Sequence, residues 1–463
     1  MFGSCSSLSR RMAAVLTLGI ACSLPLHAEP LTLGKAVLLA VRNHPDLRVA
    51  QAQWESSLAS RDIATDRYWP SINGSVGYNY SEAQSAAAGG QALIRPGFTR
   101  QYRLGVTLDQ MLLDFGKTKS AVEAAQQNAN ATEIEVGGKL QDLVLNVATQ
   151  YFTVLREQQN VLINEDNVRN AEAQLVRAQG FYSAGTRAKI EVTQAESTLA
   201  NAELLLIQAR NAELKARANL NTAVGDKEFK DYVLREVMVS SPPITQERAL
   251  QLAHDLRPDI KAQEARIKAS RANVDNSRAQ YWPTISASAG YSWADKFFLP
   301  QPYNWNVGVN LAVPIFNEPL LSATVRQSEA GYRQSLAVLD QVVLAARQQV
   351  VEGWLNLKEA EQRIKTSLIA LAAAQENFRL ASERYQVGVG GSLDVSDAQR
   401  LLVQARSQEL QARFDKQTAV VKLHRVVGDL TVDLMLGASP AGDLQGAPRV
   451  PSPPPQGPPA PTP

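Results

Sequence analysis

The strongest constraint in this 463-residue sequence is that it contains one unit twice. Residues 31–80 align with residues 244–293 at a constant offset of 213, and a second block aligns at an offset of 203. The aligned pairs of the second block include Gly105 and Gly308, Tyr151 and Trp354, Tyr182 and Tyr385, Gly185 and Gly388, and Gly225 and Gly428. Because a repeated sequence adopts the same structure in each copy, we predict two copies of one helix–hairpin–helix–helix unit.

Residues 1–28 have the features of a secretory signal peptide. Two arginines precede an apolar run over residues 12–24, and a small-residue cleavage motif follows at residues 26–28. The two cysteines of the chain, Cys5 and Cys22, both lie in this segment, so no disulfide is expected in the rest of the chain. An ordinary signal residue and a lipidated N-terminus are the two interpretations of Cys22.

The charge balance and the hydropathy pattern exclude two classes of protein. Residues 1–28 hold two of the 47 basic residues and none of the 45 acidic residues, so the remaining charges are balanced. Nucleic-acid binding requires a basic surface, so no nucleic-acid partner is expected. No apolar run of about 18 residues follows the signal, which excludes a transmembrane helix. If the chain crosses a membrane, we expect it to do so as a β-barrel.

Four segments alternate strictly between apolar and polar residues, and they lie near 71–80, 101–110, 284–293 and 303–313. Each is about 10 residues long, which is the length of a tilted membrane strand. Aromatic residues cluster at both ends, as in interfacial girdles: Tyr68, Trp69, Tyr281 and Trp282 at one end, and Tyr80, Trp293, Tyr303 and Trp305 at the other. A soluble sandwich with one wet face is the alternative, but the signal, the girdles and the duplication favour a membrane barrel.

The number of strands predicts an oligomer. Four strands cannot close, because single-chain outer-membrane barrels need at least about eight. Two chains would form a barrel filled by side chains, whereas three chains would form a twelve-stranded barrel with room for water. The inner face carries Asn, Ser, Gly and Thr, so the sequence favours a homotrimer.

Two long proline-free segments predict coiled-coil helices over residues 117–183 and 320–385, with return helices over 189–224 and 392–427. Apolar residues recur every seven positions, which predicts left-handed coiled-coil packing: Leu140, Val147, Val154, Val161, Val168, Leu175 and Tyr182, then Val343, Val350, Leu357, Ile364, Leu371, Phe378 and Tyr385. The partners expected on the return helices are Val192, Leu199, Leu206, Val395 and Leu402. A soluble spectrin-like rod is the alternative, but it leaves the strands unexplained.

The duplication also sets the predicted domain limits. A signal peptide (1–28) precedes a first repeat (29–225), a connector (226–243), a second repeat (244–430) and a disordered Pro-rich tail (431–463).

Several motifs over residues 31–430 together resemble the TolC-like outer-membrane factor family: HPDL and RPDI before a helix, YWP before a strand, LDQMLLDFG and LAVPIFN after one, and RYQVGVGGSLDVSDAQ at the second helical turn. The resemblance implies a homotrimer that lies in the cell outer membrane and contacts outer-membrane lipid. A twelve-stranded β-barrel would continue into a periplasmic α-helical barrel. The helical tips would dock onto a periplasmic adaptor (a membrane fusion protein) of an inner-membrane pump.

The resemblance further implies a gate at the tips. Its acidic constriction would consist of Asp394, Asp397 and Glu191, and Tyr385 matches a tyrosine of the family's closed-state network. The family's arginine falls on Gly390 here, and Arg187 at the equivalent place in the first tip offers a substitute. Alternatively, Asp394 and Asp397 are solvated acids at a helix start, favoured by the helix dipole. The docking tips would be Ala184, Gly185, Thr186, Val387, Gly388 and Val389.

No arrangement of residues suggests catalysis, a cofactor or a metal site, so we expect no enzyme activity. His44, His254 and His424 show no ligand spacing. The predicted function is a passive outer-membrane exit duct of a tripartite export system, for small molecules or drugs. The outer-membrane component of type I protein secretion is the alternative within the family. A non-channel coiled-coil envelope scaffold is the alternative from a different class.

Overall fold

The computed structural model describes residues 31–83, 97–228, 230–239, 244–295, 297–298 and 303–437. The predicted signal with Cys22, most of the first hairpin loop and residues 438–463 of the predicted tail lie outside the described residues.

The order of elements repeats once along the chain, as the duplication predicts. The first copy contains α1 (Leu33–Asn43), α2 (Pro45–Thr65), β1 (Ser71–Ala83), β2 (Gly97–Leu113), α3 (Lys117–Ser183) and α4 (Lys189–Val224). The second contains α5 (Gln246–Leu256), α6 (Pro258–Ala279), β3 (Thr284–Asp295), β4 (Tyr303–Ala312), α7 (Glu318–Gln386) and α8 (Ser392–Val427), and α9 (Val432–Gly437) follows. Helix α9 lies within residues 431–463, which the sequence predicted as a disordered tail. This helix packs on the helical core through the buried side chain of Met435.

The four strands form one antiparallel sheet in chain order, β1-β2-β3-β4. Strands β2 and β3 pair with each other, so the sheet joins the two copies. The pairing of β1 and β2 runs from Ser71 and Asp109 to Ala83 and Gly97, which extends the first hairpin beyond its predicted ends. Apolar residues such as Val76 and Val307 are exposed on one face. This face therefore has no cover within the described part of the chain.

The long helices α3 and α7 contain 67 and 69 residues, which corresponds to about 100 Å each. Val147, Val154 and Val161 of the predicted heptad are buried, but Tyr182 is 47% exposed. Near the tip the buried residues of α3 are instead mainly Asn164, Asn167, Ala171, Gln174 and Ala178. The heptad extrapolation failed at Tyr182 because the buried face of α3 shifts by three residues before the tip.

Alanines recur every seven residues on the buried faces of both return helices. In α4 they are Ala195, Ala202, Ala209 and Ala216, and in α8 their equivalents Ala398, Ala405, Ala412 and Ala419. Val395 and Leu402 are buried as predicted, whereas Val192, Leu199 and Leu206 are only half-buried. The prediction for α4 was therefore wrong in its main residues, since the methyl groups of alanine permit a closer helix contact.

Two glycines place the return helices against the short helices in both copies. Gly225 has a φ of +76°, and a Cβ there would lie 3.1 Å from the Cα of His44. Its equivalent Gly428 has a φ of +90°, and a Cβ there would lie 3.0 Å from the Cα of Arg257. Only glycine combines a left-handed conformation with so close an approach. None of the helices in the described ranges is long and apolar enough to cross a membrane.

Candidate functional site: the helical tips

Each long helix reverses direction at a short turn, and we call residues 184–188 the first tip and residues 387–391 the second tip. Gly185 and Gly388 have φ angles of +71° and +84°. The N–H of Thr186 donates to the Phe181 carbonyl at 3.0 Å, and that of Val389 donates to the Arg384 carbonyl at 3.0 Å. These bonds satisfy carbonyls at each helix end, and both tips therefore have the same turn.

The predicted docking residues form the exposed ends of these turns. Ala184, Gly185 and Thr186 are exposed in the first tip. In the second tip, Val387 and Val389 are 74% and 73% exposed, with the exposed Gly388 between them. Exposed apolar side chains at an extremity are typical of an interaction site, so docking at the tips stays a prediction.

Arg187 connects the two tips within one chain. Its guanidinium Nη2 donates to the carbonyl oxygens of Gly388 at 3.1 Å and Gly390 at 2.9 Å. The same group lies 5.4 Å from the centre of the Tyr385 ring, within the range of a cation–π contact. One side chain of the first tip therefore holds the backbone of the second.

Glu191 and Tyr385 complete this arrangement, which we call the tip cluster (Arg187, Glu191 and Tyr385). Glu191 accepts a hydrogen bond from Arg187 Nη1 at 3.0 Å and another from the Tyr385 hydroxyl at 3.0 Å. Tyr385 is 1% exposed, and its ring meets Phe181 edge-on at 5.6 Å. Burial, together with the bond to Glu191, raises the pKa of Tyr385 to about 12. The hydroxyl therefore stays protonated at neutral pH and donates.

The two predicted gate acids of α8 lie apart from the tip cluster. Asp394 is exposed and accepts a hydrogen bond from the Gly391 N–H at 3.3 Å, as helix-start acids often do. Asp397 is exposed and pairs with Arg400 at 3.5 Å. The contact of Asp394 fits the helix-start interpretation, while the exposure of both carboxylates leaves them available to line an opening. Their role in a gate stays a prediction.

Gly390 has no room for a side chain without displacement of its neighbours. A Cβ there would lie 3.3 Å from the carbonyl carbon of Arg384 and from the nitrogen of Tyr385. The backbone of Gly390 instead accepts from Arg187. Gly390 occupies the position where the TolC-like family has an arginine. In this chain, the carbonyl of Gly390 is instead bound by Arg187 of the other tip.

The sequence interpretation missed a row of polar contacts above the tips, which we call the polar seam: Asn167, Gln174, Thr198, Ser392, Ser396 and Gln399. The amide of buried Gln174 donates to the Ser396 hydroxyl at 3.1 Å and to the Ser392 carbonyl at 3.3 Å. The amide of Gln399 donates to the Asn167 side chain at 2.8 Å. Asn167 and Gln174 are seven residues apart, so the periodicity of the amides was the available signal.

Comparison with known proteins identifies the family. Residues 37–226 and 249–429 match the family model described as outer membrane efflux protein. The chain is 26% identical over 400 residues to the probable outer membrane lipoprotein SilC of Salmonella typhimurium, covering 84% of each chain. It is 27% identical over 403 residues to the pyoverdine export outer membrane protein OpmQ of Pseudomonas aeruginosa, covering 84% of this chain and 83% of OpmQ.

A solved structure of CusC superimposes with a TM-score of 0.75 at 23% sequence identity, covering 86% of this chain and 92% of that one. At this identity the likeness shows the fold, which is the TolC-like arrangement that the sequence predicted. The family description is of an efflux protein and not of an enzyme. Because the family match covers both copies and most of the chain, this protein belongs to the outer membrane efflux protein family and is an outer-membrane component of an efflux system.

Proposed function

We propose that the chain is the passive exit channel of a tripartite export system, with small molecules or ions as its cargo. The observation that carries this proposal is one sheet with an exposed apolar face, joined directly to two helix pairs that contain the longest helices of the chain. Relatives named for pyoverdine export, toluene efflux and cation efflux support cargo of this size.

The channel would be a homotrimer. Strands β1 and β4 are the edges of the sheet in one chain, and unpaired edges attract further strands. Three chains would supply twelve strands. The helices support the same closure, because α6 packs on both α3 and α7, whereas its equivalent α2 packs on α3. The α6–α3 contact joins the second copy to the first copy of the same chain. For α2, the equivalent contact would be with helix α7 of a neighbouring chain.

Two exposed residues mark this neighbouring contact. Asn276 of α6 donates to the Lys117 carbonyl at 2.6 Å within one chain. The duplication places Ile63 on Asn276 and Leu320 on Lys117, and both of these apolar residues are exposed. An Ile63–Leu320 contact between chains would cover them.

Reconstitution into planar lipid bilayers tests the proposed function. The purified protein should conduct ions in discrete steps, and chemical crosslinking of the same sample should stop at three chains. A chain that inserts without conductance, or that stays a monomer with its strand content intact, would contradict the channel.

The tips would dock onto a periplasmic adaptor of an inner-membrane pump. Val387 and Val389 are the exposed apolar residues of the second tip, and the hairpin shape presents them at the end of a helix pair. Replacing both with Asp should abolish export and adaptor crosslinking. Trimer yield should stay unchanged, since both side chains are largely exposed.

A further inference from the structure

A cavity of about 440 Å³ lies between α7, α8 and the edge of α3, and we call it the mid-helix cavity. Helices α7 and α8 supply all of its wall except Leu145, which comes from α3. The charged residues of the wall are Glu352, Glu359, Arg363, Asp415 and Lys422. Small-molecule sites in proteins have volumes of this size.

The mid-helix cavity opens on the side of α8 opposite the connector between the two copies. Gln417 of α8 accepts a hydrogen bond from the Val239 N–H of the connector at 2.9 Å. Asp415 precedes Gln417 by two residues, and Lys422 follows it by five. At about 100° per residue, both charged side chains start from the opposite face of the helix.

Helix α7 shows the same division of its faces. Val350 and Leu357 are buried in the hydrophobic core together with residues of α1, α5 and α9. Glu352 and Glu359 follow them by two residues and therefore lie on the opposite face. In the channel proposed above, on which this inference rests, the face turned away from that core would line the lumen.

Three of the charged groups at the cavity already pair with one another. The guanidinium of Arg363 donates to the Asp415 carboxylate at 3.1 Å and also to the Glu359 carboxylate. One cation thus balances two carboxylates, and this network has an excess of negative charge.

The other two charged groups have opposite signs and do not pair with each other. The Glu352 carboxylate accepts a hydrogen bond from the Gln348 amide at 2.8 Å, but it forms no ion pair within the described part of the chain. The Lys422 ammonium has neither an ion pair nor a hydrogen bond among the described residues. Both side chains are exposed. A ligand that enters the cavity can therefore pair with either charge.

The wall between these charges includes small and apolar residues: Leu145, Gly353, Ala360, Ala419 and Val426. Gly353 lets α7 and α8 approach closely, because a Cβ there would lie 3.1 Å from Val426 Cγ2. The counterpart of Gly353 in the first copy is Gln150. The cavity thus combines an acid, a base and an apolar surface.

This combination of charges belongs to the second copy. In the order of Glu352, Arg363, Asp415 and Lys422, the counterparts in the first copy are Thr149, Asn160, Ala212 and Asn219, which are all uncharged. Arg156, the counterpart of Glu359, pairs with its neighbour Glu157 at 2.8 Å. A trimer would therefore have three such cavities, separated by stretches of wall from the first copy.

We propose that the mid-helix cavity binds zwitterionic small molecules that have an apolar body. Glu352 pairs with the ammonium group of the ligand, Lys422 pairs with its carboxylate, and the apolar wall contacts its hydrocarbon part. Exposed charge contacts are individually weak. The site therefore holds cargo briefly and releases it, as conduction through a pore requires.

Three probes with the same phenyl body test the charges separately. L-phenylalanine carries both charges at neutral pH, phenethylamine carries only the ammonium, and phenylpropionate carries only the carboxylate. Saturation-transfer NMR titrations measure their binding to the purified full chain, with protein-free detergent micelles as the blank. Each probe should lose affinity only when the side chain that pairs with its own charge is replaced.

Two variants remove the unpaired charges one at a time. Lys422→Gln should weaken the binding of phenylalanine and phenylpropionate about two- to fivefold and leave phenethylamine unchanged. Glu352→Gln should weaken phenylalanine and phenethylamine by the same factor and leave phenylpropionate unchanged. Both positions are exposed, so both variants should fold as the parent does.

Matched controls come from the first copy. Lys215→Gln replaces an exposed lysine of α4 at the position that the duplication aligns with Thr418 of the cavity. Glu123→Gln replaces an exposed carboxylate that accepts a hydrogen bond from Gln127 at 2.8 Å, the same local contact that Glu352 makes. Both control variants should bind all three probes like the parent.

The pattern of losses decides the proposal. Equal losses in cavity and control variants, or a loss that is the same for all three probes, would overturn it. Probes that bind no better to the protein than to the micelles would also overturn it. Conductance of the same variants in planar bilayers gives a separate answer. Selective binding without conductance would contradict the channel and keep the site, whereas a conducting channel whose Glu352→Gln and Lys422→Gln variants bind like the parent would contradict the site alone.

Discussion

The guanidinium of Arg187 lies 2.9 Å from the carbonyl oxygen of Gly390, the residue that the internal duplication makes its own counterpart. One copy has kept a cation at this position and the other has none. The single arginine therefore bonds to both tips, through Glu191 in its own tip region and through backbone carbonyls in the other. The two copies have diverged so that one side chain stabilises the contact between them.

Replacement of Arg187 should loosen the tips. Arg187→Ala removes three hydrogen bonds and leaves the half-buried Glu191 without its cation, which should cost about 1–3 kcal/mol at the tips. We expect a higher conductance of the resting channel in planar bilayers. Arg187→Lys should rescue only partly, because an ammonium cannot reproduce the planar fork. A resting conductance equal to the parent's in both variants would contradict this role.

The hydroxyl of Tyr385 should contribute to stability, whereas the hydroxyl of its counterpart Tyr182 should not. Tyr385→Phe keeps the ring against Phe181 but removes the bond to the Glu191 carboxylate, a loss of about 2 kcal/mol for a bond to a charged group. Tyr182→Phe is the matched control, because Tyr182 is 47% exposed whereas Tyr385 is buried. The melting temperature of the purified protein and the resting conductance should change for the first variant alone. Similar changes in both variants would contradict the assignment.

Alkaline pH should remove the stability that the Tyr385–Glu191 hydrogen bond contributes. The pKa of Tyr385 is raised from 10.0 to about 12, so the fold stabilises the neutral hydroxyl. The stability that it contributes is complete below pH 10 and is lost as the pH rises through about 12. Tyr151 and Tyr232 also have pKa values raised to about 12, so the measurement is the difference between the parent and Tyr385→Phe. A stability difference between the parent and Tyr385→Phe that does not change as the pH rises from below 10.0 through about 12 would argue against this titration.

The alanine faces of the return helices should not accept larger residues. Ala412 is fully buried in α8, and Ala412→Leu should destabilise the folded protein by about 1–3 kcal/mol through overpacking. Gln404→Leu, at an exposed position of the same helix, is the matched control and should leave the melting temperature within a few degrees of the parent. Equal melting temperatures for both variants would show that the helices have room at Ala412.

Local patterns predicted the fold class because each element has its own period in the sequence. Alternation marks the strands, the absence of proline marks the long helices, and the fixed offsets show that the unit occurs twice. Helix α7 begins at Glu318, just before Pro319, since proline is tolerated in the first helical turn. The pairing of β2 with β3 across the copies is not visible in either copy alone, because it depends on their arrangement.

Hydrophobicity alone predicted the wrong face of α4. Leu199 and Leu206 are larger and more apolar than Ala202 and Ala209, yet the alanines are buried against α3. Leu199 and Leu206 are only half-buried and Ile207 is exposed, so the most apolar residues of this helix do not mark its buried face. The tip cluster was accessible through the family resemblance, but the contact of Arg187 with two backbone carbonyls required coordinates.

Charge at the proposed entrance should come from Asp394 and Asp397. They are three residues apart on α8 and therefore share one face. Three chains would bring two carboxylates each towards the axis, and a ring of acids attracts cations. The entrance should accordingly be cation-selective and blocked by multivalent cations. Asp394→Asn/Asp397→Asn should weaken both properties.

The asparagine variant separates this role from a helix-start role. An asparagine carbonyl can still accept the hydrogen bond that Asp394 takes from the Gly391 N–H, so the helix start should persist. Asp394→Ala/Asp397→Ala removes the charge and the acceptor together, and should destabilise the tip in addition. Asp394→Lys/Asp397→Lys should reverse the ion preference. If the asparagine variant retains the parent's selectivity and block in single-channel recordings, while the alanine variant loses stability, these acids serve the helix start and do not line the pore.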